Sequence, residues 1–213
     1  MKIPIEVSAR HIHLCQKDLE ALFGEDYELK KARQLYQPSD FAAEEVLDLK
    51  LGDKEIKGLR VVGPLREKTQ VEISKTDAIG LGTNPPVRLS GDLSGSEGFI
   101  LIGPEGEAEL REGLIIAQRH IHCATEEAKE LGLKNGDVVL IKTEGSSPTN
   151  FKLGADGKSP NLEVNSKLVG DKRPITFRNV KVRVRDGYKL CMHIDTDEGN
   201  AAGIDKKGLG TIL

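Results

Sequence analysis

Residues 2–7 alternate apolar and polar side chains, Lys-Ile-Pro-Ile-Glu-Val, and that alternation predicts a half-buried strand. The same signal returns at residues 69–74, where Val71 and Ile73 face one way and Gln70, Glu72 and Ser74 the other. Further strands are predicted at 44–51, 56–62, 99–102, 109–116, 138–143, 174–177, 181–184 and 190–194. Helical spacing is rare. Leu19, Leu22 and Phe23 share a face in a short helix over 16–23 that Gly24 ends, a second covers 126–131 before Gly132, and 77–81 makes a helical turn. Residues 25–43 read as irregular, 145–170 as an inserted mobile loop rich in Gly, Ser, Asn, Lys and Pro, and the C-terminus as a glycine-rich tail. Many short strands with few short helices predict barrels or sandwiches, mainly antiparallel.

A repeat refines this picture. The tetrapeptide Arg-His-Ile-His occurs as Arg10-His11-Ile12-His13 and again, about half a chain later, as Arg119-His120-Ile121-His122. With 213 residues available, the repeat predicts two similar halves of about 100 residues each. No Trp is present and aromatics are only 4%, so Val, Ile and Leu must build the core. A net charge of −3 leaves no electrostatic footprint for nucleic acid, although a local basic pocket for a phosphorylated ligand stays open. Apolar runs are far too short for a membrane-spanning helix, and Met1-Lys2-Ile3-Pro4-Ile5 has no hydrophobic signal region. Cys15, Cys123 and Cys191 form no CxxC pair, which fits free thiols in a reducing compartment. Together these features predict a cytoplasmic protein.

The repeat holds four of the chain's five histidines, and the fifth is His193. On a strand, positions i and i+2 point to one face. His11 and His13, and likewise His120 and His122, can then each reach one cation while Ile12 and Ile121 point into the core. On a helix the same spacing would splay the rings by roughly 200°. Imidazole suits zinc. An open catalytic site needs a third ligand, for which His193 and Glu72 are the candidates, with Asp195 and Asp197 expected on the His193 face of a strand. The alternative for Glu72 is a solvent-facing strand position. Thiolate ligation by Cys15, Cys123 or Cys191 would make the zinc structural instead. Arg66, just after Gly63-Pro64-Leu65, would bind a phosphate-type dianion beside the metal through forked hydrogen bonds. Arg10 and Arg119 are expected to pair with acids behind the site.

With these blocks in hand the chain resembles the PduL-type phosphotransacylases, or phosphate propanoyltransferases. The resemblance rests on Val7-Ser8-Ala9-Arg10-His11-Ile12-His13, Gln37-Pro38, Val62-Gly63-Pro64-Leu65-Arg66, Gln70-Val71-Glu72-Ile73-Ser74, Ser90-Gly91-Asp92-Leu93, Gln118-Arg119-His120-Ile121-His122 and Met192-His193-Ile194-Asp195. It implies a mainly β fold of two small, pseudo-duplicated β-barrels with short capping helices. Residues 1–35 together with 120–213 would form one barrel and 36–119 the other, with the active site at their junction. It implies two zinc ions, one held by His11, His13 and Glu72 and the other by His120, His122 and His193, with Arg66 on phosphate. The implied reaction interconverts acyl-CoA plus phosphate with acyl phosphate plus coenzyme A, for acetyl or propanoyl groups. Coenzyme A would lie on Val7, Ser8 and Ala9 and near Lys54, Arg60 and Asn200. Cys15 stands where the family has a helix-capping Ser, and the N-terminal extension that targets some members to microcompartments is not seen. Small molecules are the implied partners, and a homo-oligomer is compatible with the pattern. The rival readings are a dinuclear zinc hydrolase, with water in place of phosphate, and a non-catalytic zinc-stabilised barrel module.

Overall fold

The computed structural model describes residues 1–146 and 174–213. The chain begins with β1 (Lys2–Val7), β2 (His11–His13) and α1 (Gln16–Phe23). Strands β3 (Lys31–Gln34), β4 (Phe41–Leu51), β5 (Lys54–Gly63) and β6 (Gln70–Ile73) follow, then α2 (Lys75–Leu81). After β7 (Val87–Arg88), β8 (Glu97–Ile102) and β9 (Glu107–Ala117) come β10 (His120–Cys123) and α3 (Thr125–Leu131). The last run is β11 (Val138–Ser146), β12 (Thr176–Val184), β13 (Cys191–Ile194), α4 (Thr196–Ala202) and β14 (Lys207–Ile212). The inserted loop expected at 145–170 lies, from residue 147 onward, outside the described residues.

Strands this short leave unpaired backbone groups at any open edge, and closure removes the edges. The structure closes twice. One six-stranded barrel runs β1-β13-β10-β12-β11-β14 and shuts through β14 on β1. The other runs β4-β5-β2-β6-β9-β8 and shuts through β8 on β4, with β3 and β7 added at its rim. Each has its own apolar centre. Ile12, Leu47, Val71 and Leu114 belong to the central barrel, and Ile3, Ile5, Ile121, Val182 and Met192 to the C-terminal one.

One expectation holds and one is corrected. Most strand pairings are antiparallel, as expected, but β1 lies parallel to β13, β10 to β12, β2 to β5, β6 to β9 and β7 to β9. These neighbours are delivered by crossovers, not by hairpin turns, so nothing forces them antiparallel. The expected grouping of residues 1–35 with the C-terminal half divides. Only β1 joins that barrel; β2 pairs with β5 and β6, and Leu14, Leu19 and Leu22 fill the central core. The chain therefore crosses between barrels just before His11, and crosses back between β9 and β10 just before His120. Both Arg-His-Ile-His copies sit at crossings.

The arginines of the repeat serve these crossings. Arg10 pairs with Asp77 in the first turn of α2, and Arg119 with Glu198 in the first turn of α4. Both acids also close capping boxes, with Ser74 and Asp195 as the N-cap residues. Each arginine thus ties the entry of its histidine strand to the helix that follows the neighbouring strand.

Candidate active site at the seam of the barrels

The strand register places the third candidate ligand in the same relation to both histidine pairs. On β2 and β6, His11 lies opposite Glu72. On β10 and β13, His120 lies opposite His193. Ile12 and Ile121, between the histidines, are fully buried in their respective cores. All six side chains line one cavity of about 900 Å³ between the barrels.

In the first set, His11 Nδ1 donates to the Ala9 carbonyl at 2.8 Å and His13 Nδ1 to the Val62 carbonyl at 2.9 Å. A carbonyl oxygen only accepts, so both rings carry their proton on Nδ1 and present a bare Nε2 when neutral. Those two Nε2 atoms face each other at 3.2 Å, and Glu72 Oε2 stands 3.7 Å from His11 Nε2. Burial, reinforced by His11 and Arg66, holds the His13 pKa well below its ordinary value. Burial works to raise the Glu72 pKa, yet the charges of His11 and His13 and the Ser90 hydroxyl outweigh it and bring the carboxyl down to about 2. Gln70 Nε2 fixes the carboxylate, donating to Glu72 Oε1 at 2.7 Å and to Ser90 Oγ at 2.7 Å.

In the second set the rings of His120, His122 and His193 have centroids 4.6–5.4 Å apart. His120 Nδ1 donates to the Gln118 carbonyl at 2.8 Å, again leaving Nε2 bare. His122 Nδ1 is buried, with no hydrogen-bond partner among the described residues. Burial first, and His120 next, push His193 down to about 3, and burial drives His122 further down still. Mutually close, neutral imidazoles with unshared lone pairs are what a cation would organise.

Arg66 reaches the same cavity. Its Nη1 donates to Ser90 Oγ at 2.9 Å, and among the described residues it makes no ion pair with a carboxylate. Of the expected coenzyme A residues, Val7, Ser8, Ala9 and Arg60 line the cavity. Val7 and Ser8 already donate their N–H groups to the Lys206 and Ile194 carbonyls, and Arg60 is held by the Ala43 and Glu44 carbonyls. Lys54 and Asn200 are not brought to the cavity lining. Lys54 starts β5, six residues or about 20 Å along the strand from Arg60, and its Nζ lies beside Gly82. Asn200 is exposed on α4. Asp195 and Asp197 also leave the expected strand face: Asp195 is the N-cap of α4, and Asp197 accepts from the Thr76 N–H.

Residues that pattern reading missed complete the cavity. Arg33 on β3 and Lys206 and Lys207 before and on β14 give its rim positive charge. Gln37 is buried and bridges the barrels, donating to the Lys189 carbonyl at 2.8 Å and accepting from the Lys189 N–H at 3.0 Å. Tyr188 packs on His122 with ring centroids 4.2 Å apart. Gln37 had a signal in the Gln37-Pro38 block, whereas Arg33 and Tyr188 sit in stretches without periodicity.

Comparison with known proteins gives the family. The phosphate propanoyltransferase family matches residues 4–153 and 157–205. The chain belongs to that family. Similar proteins called phosphate propanoyltransferase include one from Thermotoga maritima, 43% identical over 211 residues, covering 99% of this chain and 89% of the relative. One from Lachnoclostridium phytofermentans is 41% identical over 214 residues, with 99% and 87% covered. One from Salmonella typhimurium is 43% identical over 204 residues, with 95% and 84% covered. As a family member the chain is an acyltransferase. None of the helices among the described residues is long and apolar enough to cross a membrane.

Proposed function

We propose that this chain interconverts a short acyl-CoA plus phosphate with the acyl phosphate plus coenzyme A, propanoyl or acetyl being the acyl group, at a two-zinc site between its barrels. The observation that carries this is the pair of histidine pairs, each with a third candidate ligand opposite its first histidine, opening on one cavity with Arg66. The residues fit the metal. Two Nε2 atoms at 3.2 Å repel unless a proton or a metal cation lies between them, and a buried His122 nitrogen has no hydrogen-bond partner among the described residues. His11, His13 and Glu72 would hold one ion, and His120, His122 and His193 the other. Bound zinc supplies Lewis acidity toward phosphate and carbonyl oxygens.

Arg66 has the donors and the free charge to bind the phosphate dianion and turn one oxygen toward the thioester. Ser90 fixes the arginine, and through Gln70 the same hydroxyl fixes Glu72, so anion site and ligand are oriented together. The cationic rim of Arg33, Arg60, Lys206 and Lys207 suits the phosphates of coenzyme A, beside the Val7-Ser8-Ala9 segment. In the forward step the phosphate oxygen forms a bond to the carbonyl carbon, the C–S bond breaks, and coenzyme A leaves as thiolate. No protein nucleophile is needed. Burial pushes the Cys123 thiol up to about 11 and the Cys191 thiol well above its ordinary value, which makes both poor nucleophiles.

The test follows free thiol from propanoyl-CoA with and without phosphate. Release that requires phosphate, with acyl phosphate accumulating in equal amount, is the expected outcome. Release without phosphate would identify a hydrolase instead. Arg66→Ala should lower turnover by about 10²- to 10³-fold, the usual cost of removing one well-placed donor, and raise the KM for phosphate. An Arg66→Ala variant with unchanged phosphate KM would remove Arg66 from the phosphate site.

A further inference from the structure

The two ligand sets are equivalent in register but not in charge. The first contains a carboxylate, Glu72; the second consists of three histidines. The neighbouring strand reverses this difference. Beside Glu72, the paired residue on β9 is Ile115, fully buried and apolar. Beside His193, the paired residue on β1 is Glu6. Each cross-strand pair therefore holds one carboxylate, in the ligand position on one side and one strand further out on the other.

The ring nitrogens of His193 point to the same arrangement. His11, His13 and His120 each give their Nδ1 proton to a backbone carbonyl. Among the described residues, His193 Nδ1 meets no carbonyl; it faces Glu6 Oε2 at 3.9 Å, and its Nε2 looks toward Gln37 and the other histidines. Glu6 is partly shielded, with 24% of its side chain exposed, and Lys207 and Arg33 lie within its field. We propose that Glu6 is a positioning residue for the second metal. Its carboxylate closes on His193 Nδ1–H, fixes the tautomer that leaves Nε2 bare, and supplies the negative charge this ligand set lacks. A carboxylate behind a ligating histidine raises the basicity of the ligating nitrogen and commonly strengthens metal binding. The inference rests on the two-zinc reading.

The rival geometry is direct ligation, because Cys191 Sγ also lies within 4.8 Å of Glu6 and His193 ligand atoms. Zinc content and zinc affinity, measured by competition with a chromophoric chelator, separate the cases. Wild type should hold two ions. Glu6→Gln should weaken one of them by about 10- to 100-fold and leave the other unchanged. Glu6→Asp, which keeps the charge on a shorter stem, should recover part of that loss. In a His193→Ala background Glu6→Gln should have no further effect. Unchanged affinity for both ions in Glu6→Gln and Glu6→Ala would overturn the proposal. So would a thiolate-to-cobalt absorption band in the Co²⁺ protein that disappears in Cys191→Ser, since His193 would then be ligating on the Glu6 side. A wild-type chain that binds no zinc overturns the two-zinc reading itself, and this proposal with it.

Discussion

His193→Ala is expected to empty one metal position and lower acyl transfer by about 10²- to 10³-fold or more, and Glu72→Ala to do the same at the other position. The reason is the register. His193 stands opposite His120 as Glu72 stands opposite His11, so each removal leaves a two-histidine pair with no third ligand. The two losses should differ in kind. Glu72→Ala removes a carboxylate held near pKa 2 and also takes one of the two acceptors of the Gln70 amide, leaving it Ser90 Oγ. His193→Ala leaves Gln37 anchored to Lys189 and removes only the third imidazole. Elemental analysis of the dialysed proteins should therefore give one ion per chain for each variant. Turnover of His120→Ala/His193→Ala within threefold of wild type would overturn the assignment of the second set.

Much of this site was legible because it rests on short-range periodicity. His-x-His on a strand puts two rings on one face, and that rule alone separates His11 and His13 from Ile12. Glu72 stood out as a polar residue in a cleanly alternating strand; the structure buries the whole polar face, Gln70, Glu72 and Ser74, because it fronts the seam and not solvent. The strand crossings were less legible. Nothing local in β2 says that it pairs with β5 and β6 instead of following β1 into the other barrel.

The C-terminal elements show a different limit. α4 contains Gly199, Asn200 and no long apolar residue, so its amphipathic pattern is absent, and the Asp195/Glu198 capping box that starts it is hidden when Asp195 is read as a strand residue. β14 looked like a glycine-rich tail. Its Gly210 is required by packing, since a Cβ there would come within 2.5 Å of Ile141 Cγ2 and 3.0 Å of Ile5 Cδ1. That is a contact between chain ends that no sequence window spans. β3 is exposed throughout, so neither it nor the cavity residue Arg33 had a hydrophobic signature.

Ile5→Ala is expected to cost about 2–5 kcal/mol, and to loosen strands more than a hundred residues away in sequence. Ile5 is 1% exposed and lies between Met192 on β13 and Gly208 on β14. Its neighbours are the C-terminal core, and the tight approach of Gly210 leaves little room for the cavity to collapse. Leu114 is the matching position in the central barrel: it is fully buried, and it pairs with Val71 on β6 as Ile5 pairs with Met192 on β13. Leu114→Ala should cost a similar amount and act on the other barrel. Hydrogen exchange distinguishes the two. Ile5→Ala should release amides of β10, β13 and β14 before those of β4–β6, and Leu114→Ala should do the reverse. Early release of β5 and β6 in Ile5→Ala would mean that the N-terminal strand belongs to the central barrel. The crossing also carries the destabilisation to the site. Met192 precedes His193 and Val71 precedes Glu72, so each core deletion loosens one third ligand while sparing the other. Ile5→Ala should therefore weaken the His193 metal selectively, and Leu114→Ala the Glu72 metal, which would make the seam a site whose halves are stabilised by separate cores.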